Sequence, residues 1–239
     1  GRRPEWWRSA APVASDRFET KQVWFPSRDG TRVPMFLVHR KGLALDGTHP
    51  VYLTGYGGFT VNMTPAFSAM AALWVEAGGV FALPNLRGGA ELGEEWHRAG
   101  MLERKQNTFD DFTAAAEWLT ANGYADPARI AIRGGSNGGL LVGAALTQHP
   151  AMFRAVLCKY PLLDMVRYHR FRIARLWVPE YGSAEDPAQF ETLRAYSPYH
   201  RVEKGVAYPA VLLVTGDADT RVDPLHARKM TALLQASTG

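Results

Sequence analysis

The sequence predicts an α/β fold, in which a mainly parallel β-sheet is covered by helices on both faces. Short apolar runs suited to buried strands alternate along the chain with segments that have helical spacing. The chain has 239 residues, of which 46% are hydrophobic and 11% aromatic, so it can bury the core of one such domain. Because ligands bind beyond the carboxyl ends of the strands in these sheets, we expect a site in the loops that follow the strands.

The first part of the chain predicts a peripheral segment followed by a hairpin. Residues 1–20 are polar and contain proline, so we expect a linker or peripheral segment there and the domain itself over residues 21–239. The stretch KQVWFPSRDGTRVPMFLVHRKG has two apolar runs around Asp29 and Gly30, a pair that favours a tight turn, and it predicts a β-hairpin. The segments PVYLTGYGG and GGVFALPNLRGG are short strands that end in glycine-rich loops. Between them, PAFSAMAALWVEAG has helical spacing and ends at a glycine.

The segment NTFDDFTAAAEWLTANG predicts a helix with defined ends. We expect Asn107 or Thr108 as the N-cap, because their side chains can accept a hydrogen bond from the first turn. Asp110 and Asp111 are expected in that first turn, where a carboxylate interacts favourably with the helix dipole. Gly123 is expected as the C-cap.

The second half of the chain continues the alternation. It has a strand at residues 130–133, a helix after Ser136, the strand AVLCKY and a strand within PAVLLVTGDAD. Cys158, the one cysteine, lies in the apolar run of AVLCKY, so we expect it to be buried rather than reactive.

Charge and composition exclude several classes of partner. The chain has 27 basic and 23 acidic residues, a net charge of +4, and both signs are scattered rather than clustered in the basic stripe of a nucleic-acid-binding protein. It has neither an apolar stretch that could span a bilayer nor a signal-peptide core, so we expect no membrane association and a cytoplasmic location, with a secreted or periplasmic parent as the alternative. No histidine pair has metal-binding spacing, and no cofactor is expected.

One serine is surrounded by glycines between a strand and a helix, in RIAIRGGSNGGLLVGAAL. Gly134, Gly135, Gly138 and Gly139 leave room for a sharp turn at Ser136. The pattern matches G-x-S-x-G, the nucleophile elbow of α/β-hydrolases, which exposes the serine oxygen and places the next amide at the start of a helix. That amide, on Asn137, could stabilise an oxyanion. The alternative is a glycine-rich turn that binds phosphate or packs closely, although the lysine of a P-loop is absent.

A serine nucleophile needs a histidine base and a carboxylate that orients it, in the chain order Ser, Asp, His for this fold. Asp219, in LLVTGDADTRVDP, follows an apolar strand at the position of the acid. Asp217 is the competing candidate, and a turn or helix-capping acid is the alternative for both.

Several segments together resemble the peptidase domain of the prolyl oligopeptidase family, serine peptidases that cleave peptides after proline. They occur in family order between about Val23 and Leu234: SRDGTRVPMFLVHRKG, GYGGF, NLRGGAELGEEWH, KQNTFDDF, GGSNGGLL, LDMVRYH and YSPYH. The resemblance implies Ser136 as nucleophile, Asp219 as acid, and the Tyr56 hydroxyl beside the Asn137 amide in the oxyanion hole. It implies substrate contacts for Phe59, Leu162, Trp177, Tyr181 and Arg221. Without it, Tyr56 would be a loop aromatic, Trp177 a core residue and Arg221 a surface arginine.

The general base is the gap in this assignment. Of the seven histidines, only His226 follows Asp219, and it lies in DPLHARKM, which predicts a helix. His97 and His169 belong to family-like segments but precede the acid. The resemblance implies a base a few dozen residues further on, past one more strand, and an N-terminal β-propeller. We therefore expect a C-terminally incomplete piece of a longer protein, inactive by itself.

Three functions remain open at this point. The first is a serine endopeptidase that cleaves short peptides after proline through an acyl-enzyme. The second is a related esterase or aminopeptidase with the same elbow, and cleavage of proline peptides rather than simple esters would distinguish the two. The third, suggested by the missing base, is a non-catalytic α/β-hydrolase scaffold.

Overall fold

The computed structural model describes residues 15–237. The strands are β1 (Phe18–Pro26), β2 (Arg32–Arg40), β3 (Val51–Thr54), β4 (Val80–Pro84), β5 (Ile130–Gly135), β6 (Ala155–Lys159) and β7 (Ala210–Val214). The helices are α1 (Ala69–Glu76), α2 (Glu94–Arg98), α3 (Gln106–Ala121), α4 (Asn137–Gln148), α5 (Val178–Tyr181), α6 (Pro187–Tyr196) and α7 (Leu225–Ser237), joined by several short 3₁₀ turns.

The strands form one sheet in the order β1-β2-β4-β3-β5-β6-β7. The β1–β2 and β2–β4 pairs are antiparallel, and the four pairs from β4 through β3, β5 and β6 to β7 are parallel. Through α1 the chain passes from β3 to β4, toward the β1 edge of the sheet. Through α3 and α4 it passes from β4 to β5 and on to β6, toward the β7 edge. Because such crossovers are right-handed, α1 covers one face, and α3 and α4, which contact each other, cover the opposite one. The mainly parallel α/β prediction is therefore confirmed.

The described part of the N-terminal segment leads into a peripheral strand. β1 begins at Phe18, so residues 18–20, within the predicted linker or peripheral segment, form the start of the sheet's edge strand. Residues 1–14 of the predicted linker lie outside the described part of the chain. The predicted hairpin is present: Pro26 pairs with Arg32, and Gly30 has a φ of +81° in the turn.

Helix α3 begins earlier than its sequence indicates. Its N-cap is Lys105, and the candidates Asn107 and Thr108 lie inside the helix. Their side chains instead donate to backbone carbonyls of the preceding loop: Asn107 bonds to Ala99 at 2.9 Å, and Thr108 bonds to Arg87 at 2.8 Å. This shift moves the two acids that follow into the second turn, which corrects their predicted position. At the other end the C-cap is the residue before the predicted Gly123.

Asp111 is fully buried and neutralises a buried arginine. Its Oδ1 accepts from Arg87 Nη2 at 2.6 Å, and its Oδ2 accepts from the Arg87 backbone N–H at 3.0 Å. Arg87 Nη1 donates at 2.5 Å to Asp29 in the β1–β2 turn. This hydrogen bond lowers the pKa of Asp29 to about 2. One guanidinium thus joins α3, the loop after β4 and the hairpin.

The core lies between the sheet and its helices. Cys158 on β6 is buried there, as predicted, and its thiol donates to the Gly139 carbonyl oxygen at 3.3 Å. Burial raises the pKa of this thiol.

None of the helices within residues 15–237 combines the length and apolar character needed to cross a bilayer.

Candidate active site

The turn between β5 and α4 holds Ser136 in a strained conformation. Its φ is +58° and ψ is −121°, in a region that residues other than glycine rarely adopt. The Ser136 N–H donates to the Lys159 carbonyl at 3.0 Å, and its carbonyl accepts from the Gly139 N–H at 2.8 Å. A Cβ at Gly134 would overlap the carbonyl group of Gly138, so the turn requires glycine there. The side chain of Ser136 is left half-buried at the carboxyl end of the sheet.

Two hydrogen-bond donors lie beside this serine. Asn137 is the first residue of α4, so its backbone N–H has no acceptor within the helix. Tyr56 follows β3, and its hydroxyl lies close enough to the Ser136 hydroxyl to be influenced by it. Burial raises the pKa of the Tyr56 hydroxyl, and the neighbouring Ser136 hydroxyl and the charge of Arg221 oppose that rise. The phenol is therefore protonated at neutral pH and available as a donor.

The two candidate acids have different environments. Asp219 is half-buried, and its Oδ1 accepts from the backbone N–H groups of Arg221 at 2.9 Å and Val222 at 3.0 Å. The Asp217 side chain is 91% exposed and pairs with Arg228 at 2.6 Å. A carboxylate that orients a base is held by fixed donors, so the geometry favours Asp219 over Asp217.

The seven histidines of the chain contact other groups. Their hydrogen-bond partners or nearest charged groups are the Arg40 carbonyl for His39, the Ala44 carbonyl for His49, Glu180 for His97, Arg28 for His149, Glu185 for His169, Ser197 for His200 and the Leu163 and Asp164 amides for His226. Within residues 15–237, none of the hydrogen bonds or ion pairs of Asp219 involves a histidine.

His226 is a core residue of α7. Its ring is 2% exposed, and Nδ1 accepts from the backbone N–H groups of Leu163 at 3.2 Å and Asp164 at 3.1 Å. Phe171 packs edge-on against it at 5.2 Å. Burial lowers the pKa of His226 to about 4, so the ring is neutral and fixed as an acceptor. The prediction of a helix residue is confirmed.

The predicted substrate residues differ in accessibility. Phe59 and Trp177 are half-buried and packed on the core, and Arg221 is exposed. Tyr181 and Leu162 are each 1% exposed, so these two leave almost no surface for a ligand. Tyr181 instead supports its neighbours: its ring meets Phe59 edge-on at 5.4 Å.

The structure also reveals buried charges that the sequence motifs do not indicate. Glu180, Lys105 and His97 lie in contact beneath the loop that carries Tyr56. Two of them fall within NLRGGAELGEEWH and KQNTFDDF, but nothing in the spacing of those segments shows that they meet. Among residues 15–237, no group of three or more histidine, cysteine, aspartate or glutamate side chains is arranged to hold a metal ion.

Comparison with known families and sequences gives consistent matches. The sequence profile described as "Prolyl oligopeptidase family" matches residues 65–239. A prolyl endopeptidase of Elizabethkingia miricola is 45% identical over 222 residues, which is 92% of this chain and 32% of that protein. A prolyl oligopeptidase of Omphalotus olearius is 48% identical over 223 residues, or 92% of this chain and 30% of that protein. The chain therefore spans about a third of the length of these relatives.

Solved structures show the same fold. A prolyl endopeptidase structure superposes with a TM-score of 0.94 at 57% identity and covers 95% of this chain and 34% of that one. A post-proline cleaving enzyme from Rickettsia typhi superposes with a TM-score of 0.93 at 40% identity and covers 96% of this chain and 34% of that one.

Proposed function

Since the chain belongs to the prolyl oligopeptidase family, we propose that it carries the nucleophile, oxyanion donors and acid of a serine endopeptidase that cleaves short peptides after proline. The observation that carries the proposal is the strained Ser136 at the carboxyl end of β5, with the Tyr56 hydroxyl close to it. A serine held in this conformation at a strand-to-helix turn beside a protonated phenol suits a nucleophile with an oxyanion donor, and the turn lacks the lysine of a P-loop.

In the proposed reaction, Ser136 Oγ attacks the carbonyl carbon of the proline residue while a base takes its proton. The Tyr56 hydroxyl and the Asn137 N–H stabilise the negative oxygen of the tetrahedral intermediate. Collapse of the intermediate expels the amine, which receives the proton, and leaves an acyl-enzyme on Ser136. In the second half of the reaction the base takes a proton from water, and the water oxygen attacks the acyl carbon. The bond to Ser136 Oγ then breaks, Oγ regains the proton, and the proline-ended product is released.

We assign the base to a histidine from the part of the protein beyond residues 15–237, oriented by Asp219. The support is that Asp219 is held by backbone donors while the seven histidines of the chain contact other groups. On this proposal the 239-residue chain alone does not turn over peptides, because an unassisted hydroxyl is a weak nucleophile. An N-terminal propeller domain would belong to the remaining length, since this chain spans about a third of its relatives.

Preference for proline is assigned to Trp177 and Phe59. Both are apolar, half-buried and packed on the core, which gives them fixed orientations. The proline ring is rigid, so an indole face can stack on it with little loss of conformational entropy. Tyr181 contacts Phe59 edge-on and Leu162 is buried, so we assign both a supporting role, and we assign the exposed Arg221 to a substrate carbonyl.

The test is to assay the full-length protein with two chromogenic peptides that differ only in proline or alanine before the cleaved bond. We expect a higher kcat/KM for the proline peptide and labelling of Ser136 by a fluorophosphonate. Ser136→Ala should abolish labelling and lower kcat by roughly 10³-fold or more, and the matched Ser68→Ala variant should change neither. Labelling that survives Ser136→Ala would contradict the nucleophile, and equal kcat/KM values would favour an esterase or a less selective peptidase. A stable full-length protein that neither labels nor cleaves would favour a scaffold.

A further inference from the structure

Three ionisable side chains form a buried cluster next to the proposed oxyanion hole. Glu180 Oε2 lies 2.8 Å from His97 Nε2, and Glu180 Oε1 lies 3.6 Å from Lys105 Nζ. The side chains of Lys105 and Glu180 are 1% and 6% exposed. Burial lowers the pKa of Lys105 to about 8, and the charge of Glu180 opposes this. The ammonium group therefore depends on the carboxylate for its charge.

The cluster holds the backbone of the loop that follows β3. Lys105 Nζ donates to the Gly57 carbonyl oxygen at 2.7 Å. Two residues later, the Phe59 N–H donates to Glu180 Oε1 at 3.1 Å. The φ of Phe59 is +56°, an unfavourable conformation for a residue with a side chain, whereas the φ of +64° at Gly57 is one that glycine adopts freely. The ion pair thus fixes the loop at its strained Phe59 and at the turn that Gly57 forms.

Asn137, at the start of α4, holds the same loop at a further point. Asn137 Nδ2 donates to the Tyr56 carbonyl oxygen at 2.6 Å, and Asn137 Oδ1 accepts from the Tyr181 hydroxyl at 2.8 Å. A Cβ on Gly58 would lie 2.6 Å from Asn137 Nδ2, so the amide fits closely against the loop. Glu180 and Tyr181 are neighbours on α5. Glu180 bonds to the loop backbone directly, and Tyr181 holds the Asn137 amide that bonds to it.

We propose that Glu180, paired with Lys105, is a positioning residue that places the Tyr56 hydroxyl for the oxyanion. The proposal rests on the proposed function. Replacing both partners of a buried ion pair by neutral residues is often close to neutral for stability, whereas removing one partner is costly, so a variant that removes both charges separates an effect on kcat from one on folding.

The experiment compares Glu180→Gln with the wild type in the full-length protein, using the chromogenic proline peptide. Glutamine keeps the size of the side chain and an acceptor for Phe59, but it removes the counter-ion of Lys105. A neutral amine holds the Gly57 carbonyl less strongly than an ammonium does. We expect kcat to fall by about 10- to 100-fold, on the scale reported for small misplacements near a reacting group, with KM within about twofold. The matched control is Glu191→Gln on the exposed surface of α6, which should leave both constants unchanged.

A second variant separates positioning from folding. In the double variant Glu180→Gln/Lys105→Met no uncompensated charge is left buried, so Tm should return toward that of the wild type while kcat stays low. The inference is overturned if Glu180→Gln keeps the wild-type kcat, or if the double variant regains kcat together with Tm. A wild-type protein that fails to cleave the proline peptide contradicts the proposed function, and the inference with it. An active wild type with an unchanged Glu180→Gln variant contradicts the inference alone.

Discussion

The hydroxyl of Tyr181 donates a hydrogen bond to Asn137 Oδ1 over 2.8 Å. Tyr181 ends α5 beside the proposed proline wall of Trp177 and Phe59, and Asn137 begins α4 directly after the proposed nucleophile. This bond therefore links the residues proposed to select a substrate to those proposed to react with it. Burial raises the pKa of Tyr181, so the phenol keeps its proton and the bond persists at alkaline pH.

Tyr56→Phe should lower kcat by about 10²–10³-fold, the usual scale for loss of one oxyanion donor. The effect should fall on kcat more than on KM, because the donor acts where charge develops. The measurement is steady-state hydrolysis of the proline peptide by the full-length protein. Tyr52→Phe on β3 removes the same hydroxyl away from the turn and should behave like the wild type. An unchanged kcat in Tyr56→Phe would make Tyr56 a structural aromatic.

Trp177→Ala should reduce the preference for proline over alanine by roughly 10-fold or more, since aromatic packing on an apolar ring contributes on the order of 1 kcal/mol beyond area burial. The ratio of the two kcat/KM values is the quantity to measure. Trp24, which is 41% exposed on β1, gives the matched control Trp24→Ala. If the ratio survives in Trp177→Ala, the indole is only part of the core.

His226 should make the folded protein less stable in acid. Its pKa falls from an ordinary 6.5 to about 4 because burial disfavours the charged ring, against the opposing charges of Asp164 and Asp223 and in the same direction as that of Lys229. Above pH 6.5 the ring is neutral in both states. As the pH falls toward 4, only the unfolded chain takes up the proton, so the free energy of unfolding decreases by about 3 kcal/mol, and below pH 4 this component levels off.

Urea unfolding at several pH values measures this dependence. His226→Gln should be less stable at pH 7 and should lack this component of the slope between pH 6.5 and 4, whereas His49→Gln should keep it. An identical slope in His226→Gln and the wild type would contradict the assignment.

Asp111→Asn should destabilise the fold by about 3–5 kcal/mol, because it leaves the Arg87 guanidinium, only 4% exposed, without its buried counter-ion. Urea denaturation gives the difference in unfolding free energy. The control is Asp29→Asn, which removes the second carboxylate from the same arginine. Since the side chain of Asp29 is 47% exposed, its loss should cost about 1 kcal/mol or less. Equal losses for the two variants would show that Asp111 has no special role.

Local features could be predicted from the sequence, and contacts between distant segments could not. The elbow at Ser136 depends on glycines within three residues of it, so its strand, turn and helix are all encoded locally. The same holds for the hairpin at Gly30. Asp111 was expected near a helix start because acids favour that position, but its partner Arg87 lies in another loop, and the pairing depends on how α3 packs.

The start of α3 and the cluster of Glu180, Lys105 and His97 beneath the loop that carries Tyr56 could not be predicted, for the same reason. Thr108 has the side chain of an N-cap, yet it bonds to the Arg87 carbonyl across the fold. Glu180 and Lys105 are 75 positions apart by their numbers, and glutamate and lysine side chains are usually solvated, so nothing in either segment indicates burial. Such contacts become visible only when the sheet brings the loops together.

The buried thiol of Cys158 can serve as a probe of local opening at the turn between β5 and α4. Its sulfur lies against the Gly139 carbonyl in the first turn of α4, the helix that Ser136 begins. A thiol reagent reaches this sulfur only when a local or global opening exposes it, because the reaction needs an exposed thiolate. Labelling faster than global unfolding would therefore report local openings at the turn that carries the proposed nucleophile.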